Sequence, residues 1–139
     1  MDLIRIFKAV MTAFMIIVFL FLMFSAYQHY KYTLSTAALV DATGTVANDL
    51  VLNRLALRQG NTEVSYVLDL GRVNQLSFME TMGGENFEYG LRFYSGSSSW
   101  SFGPEPAEGR ERCALLLPVI IFDNFRYVPG KMEVVVWRA

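Results

Sequence analysis

The chain has 139 residues, of which 53% are hydrophobic and 14% aromatic, and 12 basic residues nearly balance 13 acidic ones to give a net charge of −1. The absence of a basic stripe or a polybasic cluster argues against nucleic acid and anionic lipid as binding partners. Cys113 is the only cysteine, so an intrachain disulfide is excluded, and its apolar surroundings predict a small buried hydrophobic residue.

The first predicted element is a membrane-spanning helix. The stretch from Ala9 to Tyr30 contains 22 residues and no charge, counting His29 as neutral. A helix of this length measures about 33 Å, enough to cross a hydrocarbon core of roughly 30 Å. A cleaved signal peptide is the alternative, but its apolar region usually has only about 7–15 residues. Phe24 also occupies a position where cleavage after Ser25-Ala26 needs a small residue, so we predict a retained anchor.

The charges that flank this run predict its orientation. Arg5 and Lys8 precede it, while Lys31 follows it. Positive charge on the short N-terminal side favours a cytoplasmic N-terminus and places the C-terminal part outside the cell. We therefore predict a single-pass membrane protein with three segments. These are residues 1–30 as leader and transmembrane segment, residues 31–60 as an amphipathic helix, and residues 61–139 as an antiparallel β domain.

Helical spacing continues beyond the membrane run. Two adjacent rows of mostly apolar residues recur with this spacing: Leu39, Ala42, Val46, Leu50 and Leu57, and beside them Val40, Thr43, Ala47, Val51 and Leu55. Arg54 and Arg58 are predicted to complement the helix dipole in the last turn, and Gly60 to stop the helix. The segment either continues the membrane helix as one rod or forms a separate helix.

From residue 61 the apolar residues alternate as they do in strands. The alternation covers Val64, Tyr66, Leu68 and Leu70, then Phe87, Tyr89, Leu91 and Phe93, with Trp100 and Phe102 beginning a return strand. Residues 71–82 are less clear and allow one short helix that carries Val73, Leu76 and Met79. Trp100, Phe102 and Trp137 are predicted to belong to the sheet core or to cover its edge, with an aromatic binding surface as the alternative.

The last third of the chain is predicted to supply the centre and the end of the sheet. The nearly continuous apolar run from Cys113 to Phe122 predicts a central strand, in which Pro118 must mark a bulge or the strand's end. Residues 123–130 then turn the chain into a final strand over residues 132–138. The predicted fold is therefore α+β, with a long N-terminal transmembrane and amphipathic helix packed on a small antiparallel sheet of four or five strands.

The residues of this chain offer no catalytic set other than carboxylate pairs such as Glu85 with Glu88 and Glu105 with Glu108, which we expect to be solvated surface. His29 is the only histidine and lies at the predicted membrane interface, so a nucleophile has no histidine base in the outer part. No glycine-rich phosphate loop occurs, and a zinc site needs three or four Cys or His ligands. We predict that the protein is not an enzyme and has no cofactor, metal site or small-molecule substrate.

Two features of the sequence are typical of one known family. Lys8-Ala9-Val10-Met11 places a charged residue, a small residue and two hydrophobic residues at the start of the span. The tail from Leu117 to Trp137 has the pattern of a closing hairpin with Pro-Gly at its turn. Together with the long helix, these features resemble the archaeal type IV pilins and pilin-like proteins. Phe14 stands where bacterial pilins usually carry a glutamate.

The resemblance implies a function in assembly. A leader would be removed after Ala9, and the mature helix would pack against copies of the protein or other pilin-like subunits in a filament or pseudopilus. The residues expected to form this assembly helix are Thr12, Phe14, Met15, Val18, Phe21, Met23 and Ser25, although the same side chains could equally face lipid. The alternative function is that of an uncleaved, single-span accessory subunit of a membrane protein complex.

Overall fold

The structure, a computed structural model, describes residues 2–139; Met1, the first residue of the predicted leader, lies outside the described residues. It consists of one long helix followed by seven strands. The helix α1 covers Asp2–Asp49 and ends in a π-helical turn at Leu50–Arg54. The strands are β1 (Ala56–Gln59), β2 (Thr62–Asp69), β3 (Met79–Met82), β4 (Glu85–Ser95), β5 (Ser98–Phe102), β6 (Arg112–Asp123) and β7 (Arg126–Arg138), with a 3-10 helix at Leu70–Gln75 between β2 and β3.

The chain divides into two compact units. The first, Met1–Ala37, contains the apolar part of α1, and the second, Ala38–Ala139, contains the rest of the helix and the whole sheet. In the second unit the helix packs on a mixed, curled sheet. The predicted α+β class and the long N-terminal helix are therefore confirmed.

The predicted sheet of four or five antiparallel strands is wrong in number and in strand direction. The sheet has seven strands in the order β1-β2-β6-β7-β4-β3, and β5 also pairs with β4. Strands β2 and β6 run parallel, with Val67–Asp69 beside Ile120–Phe122, while the other pairs are antiparallel. The additional strands β1 and β3 have only four residues each. Each pairs with the strand that follows it in the chain, and four residues are too few to leave a clear periodic signal.

The amphipathic helix ends earlier than its pattern predicts. The Leu55 amide donates to the Leu50 carbonyl oxygen at 2.9 Å, which closes the π-helical turn, and the chain then enters β1. Three consecutive apolar residues, Leu55, Ala56 and Leu57, are all buried. From Ala56 the backbone pairs with β2, so β1 replaces the last helical turn that the pattern predicts. Gly60 lies in the β1–β2 turn with a φ of 65° and does not stop a helix.

The core of the second unit lies between α1 and the inner face of the sheet. The predicted helix rows are buried over most of their length, including Leu39, Val46 and Leu50, but Val40 is exposed. Thr43 is also buried, and its hydroxyl donates to the Leu39 carbonyl oxygen at 2.8 Å. The opposing sheet side chains are Phe87, Tyr89, Leu91 and Phe93 of β4, all buried as predicted, Val119 and Ile121 of β6, and Met132, Val134 and Val136 of β7.

Strand β2 departs from the predicted alternation. Leu68 is buried, but Tyr66 has a φ of 63° and is 44% exposed. The pairing with β1 changes register between Ala56↔Leu68 and Leu57↔Val64, so β2 carries extra residues in a bulge at Tyr66. The bulge moves Tyr66 off the face that Leu68 shares with the core. The short helix predicted for residues 71–82 exists only as the 3-10 helix with buried Val73, and Met79 belongs to β3.

The hairpin of β6 and β7 also differs from its prediction. Pro118 lies inside β6 in continuous register with β7, and neither a bulge nor a strand end occurs there. The chain turns at Asn124 and Phe125, which have φ values of 48° and 62°, and not at Pro129-Gly130, which lies within β7. Gly130 serves close packing, because a Cβ there would lie 2.5 Å from the Tyr94 carbonyl oxygen. It is the Asn-Phe pair that adopts the left-handed conformations required by a two-residue hairpin turn.

The outer face of the sheet has its own small buried site. Trp137 is buried, and its indole Nε1 donates to Glu88 Oε2 at 3.1 Å. The loop after β5 passes over this face, and Gly90 allows its approach, since a Cβ there would lie 2.7 Å from the Pro104 carbonyl oxygen. Trp100 and Phe102 are half-buried against the core, so these aromatic residues belong to the core or cover it. Cys113 is half-buried, not fully buried as predicted.

Candidate membrane span and assembly helix

The first unit exposes apolar side chains on all sides of its helix. From Asp2 to Leu34 every residue is exposed except Val18, which is half-buried. A helix that is hydrophobic all round requires burial in a membrane or among other helices. Among the described residues 2–139, the helix that contains this stretch is the one helix long and apolar enough to cross a membrane. The anchor predicted for residues 9–30 therefore lies on a helix that could span a bilayer.

The predicted leader-processing residues, Lys8, Ala9, Val10 and Met11, lie within α1 and are all exposed. The hydroxyl of Thr12 donates to the Lys8 carbonyl oxygen at 2.8 Å. This hydrogen bond is therefore made within its own helix.

The predicted assembly residues do not all lie on one face of the helix. Phe14, Val18, Phe21 and Ser25 follow one another at spacings of four, three and four residues, which places them on one face. Met15 lies about a quarter-turn from that row, and Thr12 and Met23 lie on nearly the opposite side of the helix. All except Val18 are exposed. A single neighbouring helix would cover one of these faces, and the others would contact lipid or a further subunit.

The C-terminal end of the uncharged run carries amphipathic side chains. Tyr27, Tyr30 and Tyr32 are exposed, and Lys31 Nζ lies 5.5 Å from the centroid of the Tyr27 ring. Tyrosine is enriched where membrane helices meet the headgroups, because its ring is apolar and its hydroxyl is wet. The position of these residues agrees with a membrane boundary near residue 30.

The second unit contains one partly buried charged cluster, at the end of the helix. Arg54 Nε lies 2.6 Å from Asp49 Oδ2, and the same guanidinium contacts Glu80 of β3. The nearby Tyr89 hydroxyl is buried and has no hydrogen-bond partner among the described residues. Burial raises the pKa of Tyr89, and the charge of Arg54 partly opposes this effect. These groups join the helix end to β3.

An open cavity of about 400 Å³ lies beside this cluster. Both arginines at its wall are already engaged, Arg54 by its two carboxylates and Arg72 by the carbonyl oxygens of Asn53 and Ala56. No group of three His, Cys, Asp or Glu residues in the described part of the chain is placed to hold a metal ion. The contacts of both arginines therefore have a structural role, because they connect the end of the helix to the neighbouring segments.

Sequence reasoning missed two features of this unit. The Arg54–Glu80 contact joins residues that no local pattern relates, and Arg54 alone indicated only an interaction with the helix dipole. The exposed hairpin tip at Phe125 was also missed, although Asp123-Asn124 between two apolar runs was a usable turn signal.

No protein-family model matches this chain, and neither the curated proteins nor the solved structures include a significant match. The functional argument therefore depends on the geometry described above.

Proposed function

We propose that the protein is a non-enzymatic, membrane-anchored subunit that assembles through its N-terminal helix. The observation that carries this proposal is the exposure of apolar side chains all round the first unit. The uncharged run at residues 9–30 matches one bilayer thickness, and its apolar side chains are exposed on every face of the helix. Helices of neighbouring subunits would cover part of this surface, and lipid the rest.

In its more specific form, the proposal is a pilin or minor pilin-like subunit. Processing after Ala9 would release the helix from the cytoplasmic side, and the second unit would lie outside the cell, in a filament or pseudopilus. The motif Lys8-Ala9-Val10-Met11, the long helix and the α+β unit support this form. The proposed partners are the membrane, copies of the protein itself and other pilin-like subunits.

The uncleaved accessory subunit is kept as a second candidate for a specific reason. The resemblance implies an antiparallel sheet, whereas β2 and β6 pair in parallel within a sheet of seven strands. This departure concerns the fold of the second unit and leaves the N-terminal helix unaffected. A single-span subunit of another membrane complex would have the same exposed helix and would keep its leader.

Mass spectrometry of the N-terminus of the native protein, purified from membranes, separates the two forms. Loss of residues 1–9 supports the pilin-like subunit, and an intact Met1 supports the accessory subunit. The broader proposal fails if the protein, extracted in mild detergent, is monomeric at every concentration and associates with no other membrane protein.

A further inference from the structure

Strand β6 has an open edge along most of its length. All twelve of its residues pair with β7, but on the other side β2 pairs only with Ile120–Phe122. The bulge at Tyr66 redirects the first half of β2, so no described strand pairs with residues 112–119 on that side. Unpaired backbone groups on an eight-residue edge are a template for another strand. The partner that these backbone groups fit is therefore an extended chain.

Pro118 indicates which backbone groups point to the open edge. Proline has no N–H and is tolerated inside a paired strand where its nitrogen faces away from the ladder. The continuous register of Pro118 with Lys131 therefore directs the Pro118 nitrogen to the open side. Backbone groups alternate sides along a strand, so the N–H and C=O groups of Arg112, Ala114 and Leu116 point the same way.

The side chains along this edge of β6 are complementary to those of the same edge in a second copy of the chain. Cys113, Leu115 and Leu117 pack against the core on the inner face, while Ala114 and Leu116 are exposed on the outer face. In an antiparallel pair of two β6 strands centred on Leu115, Leu115 would face its own copy and Cys113 would face Leu117. On the outer face Ala114 would meet Leu116. Within residues 113–117, every apolar residue would then have an apolar partner on its own face of the sheet, while Pro118 would face Arg112.

We propose that a second copy of this chain pairs its β6 strand antiparallel with this edge, about a two-fold axis at Leu115. Ala114 and Leu116 of each copy would exchange backbone hydrogen bonds with Leu116 and Ala114 of the other. The two seven-stranded sheets would join into one. The contact deepens the proposed assembly function and rests on it, since confinement of the copies to one membrane raises their effective concentration.

Cysteine cross-linking of the full chain in mild detergent tests this register. In the two-fold pair Leu115 is a non-hydrogen-bonded position, where opposite Cα atoms are about 4.5 Å apart, within disulfide range. In a Cys113→Ala background, Leu115→Cys should form a disulfide-linked dimer under copper-phenanthroline oxidation. Ala114→Cys is the matched control, because it would face Leu116 of the other copy, and it should cross-link at least several-fold less. Leu117→Cys, with Cys113 retained, is a second variant that should also cross-link.

A backbone substitution separates strand pairing from side-chain contact. Leu116→Pro removes one N–H from the open edge, as Pro118 already does, and should lower the Leu115→Cys cross-link several-fold while circular dichroism stays unchanged. Two results would overturn the strand pairing alone, provided that light scattering shows the sample to be oligomeric. One is equal cross-linking at positions 114 and 115, and the other is no cross-linking at positions 115 and 117. A sample monomeric at all concentrations and free of other membrane proteins would overturn the assembly function as well.

Discussion

Arg72 Nη1 donates to the Asn53 carbonyl oxygen at 3.0 Å. A carbonyl group at the end of the helical segment therefore has a hydrogen-bond donor nineteen positions further along the chain. The same nitrogen lies 2.5 Å from the Ala56 carbonyl oxygen. The last carbonyl groups of a helix have no partner within the helix and need one from elsewhere. Arg72 therefore connects the 3-10 helix after β2 to the point where α1 gives way to β1.

Arg72→Ala should destabilise the second unit by about 1–3 kcal/mol, because it leaves two carbonyl oxygens without their charged donor. The measurement is urea unfolding of the full chain in detergent, followed by tryptophan fluorescence. Arg92→Ala is the matched control, because Arg92 is exposed and its ion pair with Glu105 is long, at 4.0 Å. It should change the free energy of unfolding by no more than about 0.5 kcal/mol. Equal effects of the two substitutions would contradict the role given to Arg72.

Gly130→Ala should destabilise the protein by about 1–3 kcal/mol through overpacking. A Cβ at this position would lie 2.5 Å from the Tyr94 carbonyl oxygen and 2.7 Å from Ile121 Cδ1. Gly44→Ala provides the opposite case, since a Cβ there meets nothing within 4 Å and the residue is helical. It should stabilise the helix by about 0.5–1 kcal/mol. Thermal unfolding of both variants, with a lower midpoint for Gly130→Ala and a higher one for Gly44→Ala, is the check.

The parts of the fold that sequence predicts correctly are those with a local period. The alternation from Phe87 to Phe93 and the helical row from Leu39 to Leu50 each reflect one element packing on one core. The parallel pairing of β2 with β6 depends on a partner far along the chain, and the short strand β1 and the bulge at Tyr66 depend on the register of the β1–β2 hairpin. No periodic pattern of residues 56–69 records that partner or that register, so these features became visible only in the structure.

The sequence predicts where the candidate membrane helix lies, but it does not predict what covers the apolar side chains of that helix. The uncharged run identifies the apolar stretch of α1, but the helix extends beyond both ends of that run, from Asp2 to Asp49. The choice between lipid and neighbouring subunits for Phe14 or Met15 has no local signature, because both surroundings favour the same apolar side chains. The open edge of β6 was likewise invisible, since an apolar run predicts a central strand and only the course of β2 reveals that one side is unpaired.

Tyr89→Phe should leave stability at pH 7 unchanged or slightly higher, because the Tyr89 hydroxyl is buried without a hydrogen-bond partner. Burial raises the pKa of Tyr89 in the folded state above the ordinary value of about 10. The unfolded chain therefore loses this proton first, and stability falls as the pH rises above about 10. The fall should be shallower in Tyr89→Phe than in the wild type. Unfolding curves between pH 8 and 11 test this expectation.

Val18→Arg should sharply reduce membrane retention. Val18 lies near the middle of the uncharged run, where an arginine costs about 2.5–3.5 kcal/mol on the insertion scale. Gln28→Arg is the control, because a long basic side chain at the end of the span reaches the headgroups at little cost. Membrane and soluble fractions are compared by immunoblotting after carbonate extraction. Equal retention of the two variants would show that residues 9–30 are not the membrane-embedded segment.

The leader motif yields the most decisive prediction for the pilin-like form of the proposal. Lys8→Ala combined with Ala9→Leu removes the charged and the small residue that the processing pattern requires. Both side chains are exposed on α1 in the first unit, so the second unit should fold normally. The variant should retain residues 1–9 by mass spectrometry and should be missing from filaments sheared from the cell surface.

The control for this variant is Arg5→Ala, which removes a positive charge of the same short segment but leaves Lys8-Ala9-Val10-Met11 intact. It should be processed and incorporated as the wild type is. If the Lys8 and Ala9 variant is incorporated normally, the helix assembles without processing, and the accessory subunit replaces the pilin-like subunit as the better proposal. If both variants fail equally, the positive charge before the span acts through membrane orientation, because cytoplasmic lysine and arginine determine which way a span inserts.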